Sequence, residues 1–572
     1  MSWQDTLKKW TSFTAFDEDL LQQLNELSKN EKELEDSFYK NLTFGTGGMR
    51  GMLGPGTNRM NIYTVRKAVE GLANYITKNI DNAHNRGVVI AYDSRYMSQE
   101  FAVEVARVLG AHNIKAYVFE SLRPTPLLSF AVRHLKTAAG IMITASHNPP
   151  EYNGFKVYNE DGGQVPLKEA AAIIEEVNKI EDELQVTVKS KEEVENADLL
   201  EWVGEEVDNA YLQELKTIQK QTEENSVNIV FTPLHGTAHD LVLKGLAQIG
   251  YHNVHVVKEQ AKPDPEFSTV QSPNPEEHQA FKMAIEQGKA IDADILIGTD
   301  PDADRLGVAV KDGKGSYQVL SGNQLGSLLL DYTLSHLNDK KLENGQVIKT
   351  IVTTEMGRAI GSYYDVDTID TLTGFKFIGE KIKQFESDER QFLFGYEESY
   401  GYLIGDFVRD KDAVQAAVAA CEMANFWKAK GKTLLEALDS LYERHGYYLE
   451  GMKSLTLKGK DGAEQIATIM EDIRKNPFTQ LGGLQVVAIE DYQSSKRQLP
   501  VEATQVDIKL PKENVMKFLL ENDAWVCFRP SGTEPKIKSY FGVKTDDANQ
   551  SKSLLQNIQT EVEERINKII DA

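Results

Sequence analysis

The chain has 572 residues, of which 41% are hydrophobic and 26% charged, a composition typical of soluble globular proteins. Its formal net charge of −24 argues against general binding to nucleic acids or anionic membranes. The two cysteines, Cys421 and Cys527, lie in no Cys-x-x-Cys or His-rich setting, which argues against a disulfide framework or a zinc site. With no membrane-spanning apolar run and no signal-peptide pattern, we expect a cytoplasmic protein.

Residues 1 to about 40 are predicted to form amphipathic helices packed on the first domain, with acidic residues from Asp17 capping one of them. Strand and helix signals alternate from Phe44 onward, which indicates α/β domains. The predicted strands are 88–92, 115–119, 140–143, 227–231, 255–257, 294–297, 348–352 and 392–394. One predicted helix is capped by Ser98 and ends at Gly110, and another lies near 238–249.

The length and the changes in composition suggest where the domains divide. At ~150 residues a domain, the prior is about four domains. An acidic stretch at 179–198 is predicted to be a solvated helix and linker, and the chain after about 446 carries short strands followed by a helix. We therefore expect three α/β domains and one α+β domain, at 1–205, 206–322, 323–445 and 446–572.

The segment Thr-Ala-Ser-His-Asn-Pro-Pro, from Thr144 to Pro150, follows an apolar strand candidate. It places the hydroxyl of Ser146 on a stiff turn at the end of a strand, where ligands of α/β folds tend to bind. His147 is the next residue, and the run Asn-Gly-Phe-Lys brings the amine of Lys156 close in sequence. A serine in a turn is usually structural, so the functional interpretation depends on the full pattern.

This segment resembles the active-site serine loop of the α-D-phosphohexomutases, in which the serine is carried as a phosphoserine and passes its phosphoryl group to a sugar. The resemblance extends over nearly the whole chain. It implies an α/β fold with three similar mixed α/β domains and a C-terminal α+β domain around a central active-site cleft.

A second motif, Gly-Thr-Asp-Pro-Asp-Ala-Asp-Arg, follows another apolar strand candidate and contains Asp300, Asp302 and Asp304. Three carboxylates at alternate positions can converge on a hard cation such as Mg²⁺, Ca²⁺ or Mn²⁺. An EF-hand is excluded, because its glycine would fall at Arg305 and its glutamate at Lys311. The motif resembles the family's magnesium loop, which implies one Mg²⁺ per chain, with a phosphoryl oxygen on Ser146 as a further ligand and with Arg305 near that phosphoryl group.

Two further loops carry anion-binding and sugar-binding residue types. The string Arg-Pro-Ser-Gly-Thr-Glu-Pro contributes an arginine fork, two hydroxyls and free amides, the parts of an anion nest. It resembles the family loop that grips the phosphate that is not transferred, formed here by Arg529, Ser531, Gly532 and Thr533. A Glu-x-Ser pattern between two glycines resembles the family's sugar loop and implies contacts from Glu397 and Ser399.

Three more cations come from motifs that are weak when taken alone. The runs Arg-Asp-Lys-Asp and Thr-Gly-Phe-Lys resemble sugar-facing stretches of the family and supply Lys411 and Lys376. A glycine-rich loop resembles the motif that would turn Arg50 toward the phosphoserine, although Gly47 stands where the family more often has Asp or Ser. Arg95 and His235 are further candidates, and we expect His235 to be structural.

The resemblance implies a phosphohexomutase reaction. Phosphorylated Ser146 would donate to O6 of glucose 1-phosphate, and the bound glucose 1,6-bisphosphate would turn over and return its other phosphate, releasing glucose 6-phosphate. Lys156 is the first candidate for the general acid/base, provided that burial or nearby cations lower its pKa. Arg50, His147 and Lys411 are the alternatives.

Other functions stay open at this stage. The sugar motifs resemble the long phosphoglucomutase and phosphopentomutase branch of the family, but a pentose or mannose phosphate is not excluded. A non-catalytic sugar-phosphate sensor would be expected to have lost its nucleophile or metal carboxylates, and these are intact. A serine hydrolase would need a Gly-x-Ser-x-Gly elbow, which Ser146 lacks. We expect a small phosphosugar as the partner, and the sequence leaves the oligomeric state open.

Overall fold

A computed structural model describes residues 2–220, 225–457, 459–500, 502–531 and 536–571. The chain forms two compact units. The first unit contains Met1–Gly322, Phe375–Gly395 and Ser399–Thr433, and the second contains Asn323–Gly374, Tyr396–Glu398 and Leu434–Ala572. Within the described ranges, no helix has both the length and the apolar character that a membrane span requires.

The N-terminal helices of the first unit are α1 (Trp3–Thr11), α2 (Glu18–Leu27) and α3 (Glu31–Phe38), which confirms the helical prediction. Each begins at a side-chain cap, and Asp17 caps α2 as expected. The helices share an aromatic core in which Trp10 packs edge-to-face on Phe38 and Tyr63. Because Tyr63 belongs to the following α/β region, this core fixes the extension on that region.

The first sheet carries the serine loop. Its elements are β1 (Met49–Met52), α4 (Ile62–Asn79), α5 (Ala83–Arg86), β2 (Val88–Tyr92), α6 (Ser98–Ala111), β3 (Ala116–Phe119), α7 (Thr125–Leu135), β4 (Ala139–Ile143), β5 (Tyr152–Asn159), α8 (Leu167–Asn178), α9 (Lys191–Asn196) and β6 (Leu200–Val203). The strand order is β1-β5-β4-β2-β3-β6. Strands β4, β2, β3 and β6 run parallel, and β5 and β1 are antiparallel additions at one edge.

Two local predictions in this region are wrong. Helix α6 does begin at Ser98, but its N-cap residue is Met97, which makes no side-chain cap bond, and the Ser98 hydroxyl donates instead to Asp93 Oδ1 at 2.8 Å. The stretch 179–198 is not a solvated linker throughout. Glu183 is 4% exposed and accepts a hydrogen bond from Trp10 Nε1 at 2.7 Å, so the N-terminal helices cover it.

The second sheet carries the acidic loop. Its elements are α10 (Glu205–Leu215), β7 (Ile229–Thr232), α11 (His239–Gln248), β8 (Val254–Val256), α12 (Lys258–Ala261), α13 (Lys282–Ile291), β9 (Ile295–Thr299), β10 (Leu306–Lys311) and β11 (Tyr317–Val319). The strand order is β11-β10-β9-β7-β8, with β9, β7 and β8 parallel. Strands β10 and β11 extend this core in antiparallel fashion.

The following elements are α14 (Gly322–Ser335), α15 (Asp339–Leu342), β12 (Gly345–Thr350), α16 (Met356–Tyr363), β13 (Asp367–Thr371), α17 (Phe375–Phe385), β14 (Gln391–Glu397), β15 (Gly401–Leu403), α18 (Ala413–Ala429) and α19 (Leu434–His445). In the second unit, β12 pairs in parallel with β13. In the first unit, α18 is buried from Ala413 to Asn425 and packs on α11, β9 and β10. Each strand predicted from sequence overlaps an observed strand, although several ends differ.

The C-terminal region has a different architecture. Its elements are β16 (Tyr447–Thr456), α20 (Gly459–Lys475), β17 (Gln480–Leu481), β18 (Leu484–Asp491), β19 (Lys496–Leu499), β20 (Thr504–Asp507), β21 (Met516–Leu520), β22 (Trp525–Pro530), β23 (Lys536–Thr545) and α21 (Ala548–Ile570). The antiparallel sheet β16-β23-β22-β21-β18-β19-β20 shares a core with both helices. This confirms the predicted α+β character, while the exact domain limits stay a prediction.

Candidate active site

Ser146 lies just beyond the carboxyl end of β4, at the edge of the first sheet where its parallel strands end. Its φ angle is 52°, in the left-handed region that a residue with a Cβ adopts only at a cost. Its backbone N–H donates to Thr144 Oγ1 at 2.8 Å. Its hydroxyl is largely buried, donates to Asp300 Oδ2 at 2.7 Å and lies 3.2 Å from His147 Nδ1. The predicted nucleophile therefore lies directly against the predicted metal loop.

The acidic loop follows β9 as a tight turn, with Ala303 at a φ of 52°. The backbone N–H groups of Asp304 and Arg305 both donate to Asp300 Oδ1 at 3.0 Å. Carboxylate oxygens of Asp300, Asp302 and Asp304 lie within 4.8 Å of one another, and all three residues are buried. The turn thus brings the three acids to one point, as their alternate spacing predicted.

This donor set fits a hard divalent cation. Asp302 Oδ1 and Asp304 Oδ1 are buried, and no hydrogen-bond donor within the described residues contacts them. Buried carboxylate oxygens without partners are costly, and oxygen-only ligands are those that Mg²⁺ prefers. Without a cation, burial and then the charges of Asp302 and Asp304 raise the pKa of Asp300 well above its ordinary value. A dication would remove both penalties.

Two lysines neutralise part of this negative charge. Lys156 on β5 places Nζ 2.8 Å from Asp302 Oδ2 and 3.5 Å from Asp304 Oδ2, and Lys411 Nζ lies 3.2 Å from Asp304 Oδ2. Burial alone would lower the pKa of Lys156, but the carboxylates of Asp302 and Asp304 raise it above its ordinary value. The lowered pKa that its role as a base required is therefore not observed in this arrangement, where Lys156 is an ammonium group.

His147 has the opposite character. Burial, followed by the positive charges of Arg305 and Arg50, lowers the pKa of His147 well below its ordinary value. A neutral imidazole therefore lies beside the hydroxyl of Ser146. Arg50 on β1 donates from Nη1 to Asn148 Oδ1 at 2.9 Å, and Arg305 forms an ion pair with Glu276. Both arginines thus lie at the serine and metal loops.

Lys376, in the first turn of α17, contacts the glycine-rich loop that precedes β1. Its Nζ donates to Thr46 Oγ1 at 3.1 Å, within the predicted Gly-rich loop. The run that supplies Lys411 also belongs to the first unit, as does the half-buried Ser399. The first unit thus contains the predicted nucleophile, metal ligands and five of the predicted cations (Arg50, Lys156, Arg305, Lys376 and Lys411).

Two residues at the site, Thr125 and Asp410, were missed by sequence reasoning. Thr125, at the start of α7, donates from Oγ1 to Asp302 Oδ2 at 2.8 Å. Asp410 accepts from the backbone N–H of Lys411 at 2.8 Å through Oδ1 and from Tyr158 OH at 2.8 Å through Oδ2. The only signal for Asp410 was its place beside Lys411 in the motif, and Thr125 carried none, since its partner is distant in sequence.

His235 is structural, in line with our expectation. Its Nδ1 lies 3.0 Å from Lys262 O and its Nε2 lies 2.8 Å from Thr269 Oγ1, so local partners use both ring nitrogens. The same loop supports the acidic turn, because the backbone N–H of Thr237 donates to Pro301 O at 2.8 Å.

The remaining predicted residues belong to the second unit. Glu397, the last residue of β14, is buried and accepts a hydrogen bond from Gly374 N at 2.7 Å. Arg529 lies on β22, and the backbone N–H of Ser531 donates to Lys536 O at 2.7 Å. Gly532 and Thr533 lie outside the described residues.

Three family descriptions match the chain. They are phosphoglucomutase/phosphomannomutase alpha/beta/alpha domain I over residues 41–184, domain II over 209–314 and domain III over 321–445. Among relatives, the phosphoglucomutase of Staphylococcus aureus (strain MRSA252) is 40% identical over 519 residues, which are 91% of this chain and 92% of that protein.

Solved structures share the fold. The open form of pp63/parafusin, a phosphoglucomutase from Paramecium, has a TM-score of 0.68 at 17% identity and covers 93% of this chain and 96% of its own. N-acetylphosphoglucosamine mutase from Aspergillus fumigatus, in complex with GlcNAc-6P and magnesium, has a TM-score of 0.50 at 12% identity and covers 97% of this chain and 99% of its own. The predicted fold is confirmed, and the chain belongs to the phosphoglucomutase/phosphomannomutase family.

Proposed function

We propose that this chain is an isomerase of the phosphoglucomutase type, which interconverts glucose 1-phosphate and glucose 6-phosphate through a phosphorylated Ser146 and a glucose 1,6-bisphosphate intermediate. The observation that carries the proposal is the 2.7 Å contact between the hydroxyl of Ser146 and a carboxylate of the buried acidic group. Phosphoryl transfer depends mostly on positioning and on stabilising charge, and a nucleophile beside a cation site supplies both. Identity of 40% with a phosphoglucomutase supports glucose as the sugar.

We assign the acidic group to one Mg²⁺ per chain, held by Asp300, Asp302, Asp304 and a phosphoryl oxygen on Ser146. Mg²⁺ bound there would supply charge stabilisation to the phosphoryl group. The buried oxygens of Asp302 and Asp304 that accept no hydrogen bond from the described residues support this assignment, as does the magnesium bound by the Aspergillus mutase.

The chain's own residues would handle the protons. When the bond from phosphorus to Ser146 Oγ breaks and the bond to the sugar oxygen forms, the sugar hydroxyl loses a proton and Ser146 Oγ gains one. In the return step, when the phosphoryl group bonds to Oγ again, Ser146 loses its proton, and neutral His147, 3.2 Å from Oγ, is placed to accept it; the protonated imidazole formed there would return that proton to Oγ in the next transfer. Lys156 remains the candidate for the sugar hydroxyl, because a cation that neutralises Asp302 and Asp304 leaves burial as the main influence on its pKa. Arg50 and Lys411 remain the alternatives.

The other predicted residues are assigned to the substrate. Arg305 would contact the phosphoryl group on Ser146, while Glu397, Ser399 and Lys376 would bind the sugar. The clamp for the phosphate that is not transferred would be formed by Arg529, Ser531, Gly532 and Thr533. Both cysteines are buried free thiols, which favours the cytoplasmic location that we also propose.

The test is conversion of glucose 1-phosphate to glucose 6-phosphate with Mg²⁺ and a trace of glucose 1,6-bisphosphate, beside Ser146→Ala. We expect turnover in the wild type and a loss of at least about 10³-fold in the variant, because the variant lacks the hydroxyl that we propose carries the phosphoryl group. Mannose 1-phosphate and ribose 1-phosphate, assayed in parallel, rank the substrates. If the wild type turns over none of the three, or if Ser146→Ala keeps full activity, the proposal is wrong.

A further inference from the structure

Arg95, in the connection between β2 and α6, binds the back of the serine loop. Its Nη1 donates to Pro149 O at 2.8 Å and to Tyr152 O at 3.1 Å, and its Nη2 donates to Ser146 O at 2.6 Å and to Asn148 O. One side chain therefore holds four backbone carbonyl groups of the loop and of the strand that follows it. Pro149 O also accepts from the backbone N–H of Tyr152 at 3.1 Å, so at this carbonyl the guanidinium adds a donor to a turn hydrogen bond.

The guanidinium is itself fixed from two sides. Its Nε lies 3.4 Å from Asp93 Oδ2, and both side chains are fully buried. Asp93 is held in turn by the backbone N–H of Arg95 at 3.0 Å and by the hydroxyl of Ser98 at 2.8 Å. The ring of Phe267, from the region of the second sheet, lies 4.9 Å from Arg95 Cζ. A buried, paired and stacked arginine of this kind has little freedom to move.

The loop needs such a restraint. Ser146 has a φ of 52°, a conformation that costs free energy for a residue with a Cβ and persists only when the surroundings hold it. The carbonyl of Ser146 is one of the four that Arg95 holds. Rotation of that peptide toward an ordinary conformation would turn the hydroxyl away from Asp300.

We propose that Arg95 is a positioning residue for Ser146, which holds the serine loop in the conformation that places Oγ against the Asp300 carboxylate. The proposal rests on the proposed function for its catalytic consequence. Arg95 acts through the loop, since its Nη groups donate to backbone carbonyls. A lysine would keep the charge but could not spread its donors over four carbonyl groups, because the planar fork is lost.

The test compares Arg95→Lys with Arg66→Lys. Arg66 is also largely buried and paired, but its partner is Glu104, away from the serine loop. For Arg95→Lys we expect kcat to fall by about 10²-fold with KM changed less than about threefold, since a misplacement of 1 Å costs about that much. Phosphorylation of Ser146 by glucose 1,6-bisphosphate should slow in parallel, and Arg66→Lys should match the wild type in both assays.

A second readout does not depend on activity. Amide hydrogen exchange at 144–152 should be at least about tenfold faster in Arg95→Lys and unchanged in Arg66→Lys, as expected when a local restraint is lost. If the wild type shows no turnover, the proposed function fails, and this exchange alone decides the role of Arg95: unchanged exchange overturns it. If the wild type is active, a kcat of Arg95→Lys within threefold of the wild-type value also overturns the proposal. If Arg95→Lys does not fold, Phe267→Leu takes its place in the test. A lower kcat at unchanged KM supports the role of Arg95, and an unchanged kcat overturns it.

Discussion

Replacing Asp300 and Asp302 by asparagine, one at a time, should separate two roles of the acidic loop. Both variants lose a carboxylate that we propose to hold Mg²⁺, but of the two only Asp302 balances a buried lysine, with Oδ2 2.8 Å from Lys156 Nζ. Asp300 instead accepts hydrogen bonds from two backbone N–H groups and from the hydroxyl of Ser146. An asparagine oxygen accepts the first two, and its amide donates to the hydroxyl oxygen.

The magnitudes follow from these contacts. Removing one partner of a buried ion pair costs about 3–5 kcal/mol of the free energy of unfolding. Asp304 still lies 3.5 Å from Lys156 Nζ, so we expect a reduced loss of about 2–3 kcal/mol for Asp302→Asn. For Asp300→Asn we expect a change below about 1 kcal/mol, because burial and its two acidic neighbours already raise the pKa of Asp300 and disfavour its charge.

The loss of stability in Asp302→Asn should change with pH in a direction that can be measured. Burial would raise the pKa of Asp302, but Lys156 and the hydrogen bonds to this carboxylate lower it below its ordinary value. Such a group contributes stability above its unfolded pKa and loses that contribution as the pH falls toward its folded pKa. The deficit of Asp302→Asn should therefore be full near pH 7 and should shrink in acid.

Urea unfolding in EDTA, at pH 7.5 and at about pH 3, below the ordinary pKa of an aspartate, measures these differences. Added Mg²⁺ should stabilise the wild type by about 2.7 kcal/mol at a hundredfold excess over its Kd, and should stabilise both variants less. The reasoning is refuted if Asp300→Asn destabilises the metal-free protein as strongly as Asp302→Asn. It is also refuted if either variant keeps the full gain from Mg²⁺.

Two more substitutions test the surroundings of the site. Gly154→Ala should lower both turnover and the free energy of unfolding, the latter by about 1–3 kcal/mol in urea, because its Cβ would lie 2.5 Å from Thr144 O and displace the serine loop. Gly313→Ala, where a Cβ meets open space, is the control, and equal effects of the two would contradict the argument. Asp412→Asn should flatten the dependence of stability on pH between about pH 4 and pH 6. Burial raises the pKa of Asp412 to about 6, so the contribution of Asp412 to the free energy of unfolding falls by about 3 kcal/mol as the pH rises through that window. An asparagine keeps the cap bonds to Val414 and Gln415, so the comparison tests the ionisation of Asp412. If the free energy of unfolding changes equally between pH 4 and pH 6 in the variant and in the wild type, the argument is contradicted.

The parts of the site that follow strand ends were predictable from the sequence. Ser146 and Asp300 each come directly after an apolar run that forms a parallel strand, β4 in one sheet and β9 in the other. The carboxyl ends of such strands are where α/β folds bind ligands. The position of each residue in the fold and its sequence motif therefore both indicated a functional site. The alternate spacing of the acids likewise required only a tight turn to bring them together.

What the sequence could not supply was the partner of each buried group. Thr125 meets Asp302 because α7 packs beside the acidic loop, and no local pattern records that contact. The charge state of Lys156 depends on two carboxylates from another sheet, which is why its expected pKa direction was not observed. At Ser98 a local rule failed, because Asp93 offered the hydroxyl a buried partner in place of the helix N-terminus.

The placement of α18 has a consequence for how the chain is made. Its buried face covers α11, β9 and β10, and a Cβ at Gly245 of α11 would lie only 3.3 Å from Val418. Those elements are synthesised long before α18. The apolar face of the second sheet region that α18 covers is therefore exposed until synthesis has passed residue 429. The stretch 209–314, which matches one family description, thus ends before the helix that covers its buried face. A fragment or chimera of such a chain keeps this face of the second sheet region covered only if it includes α18.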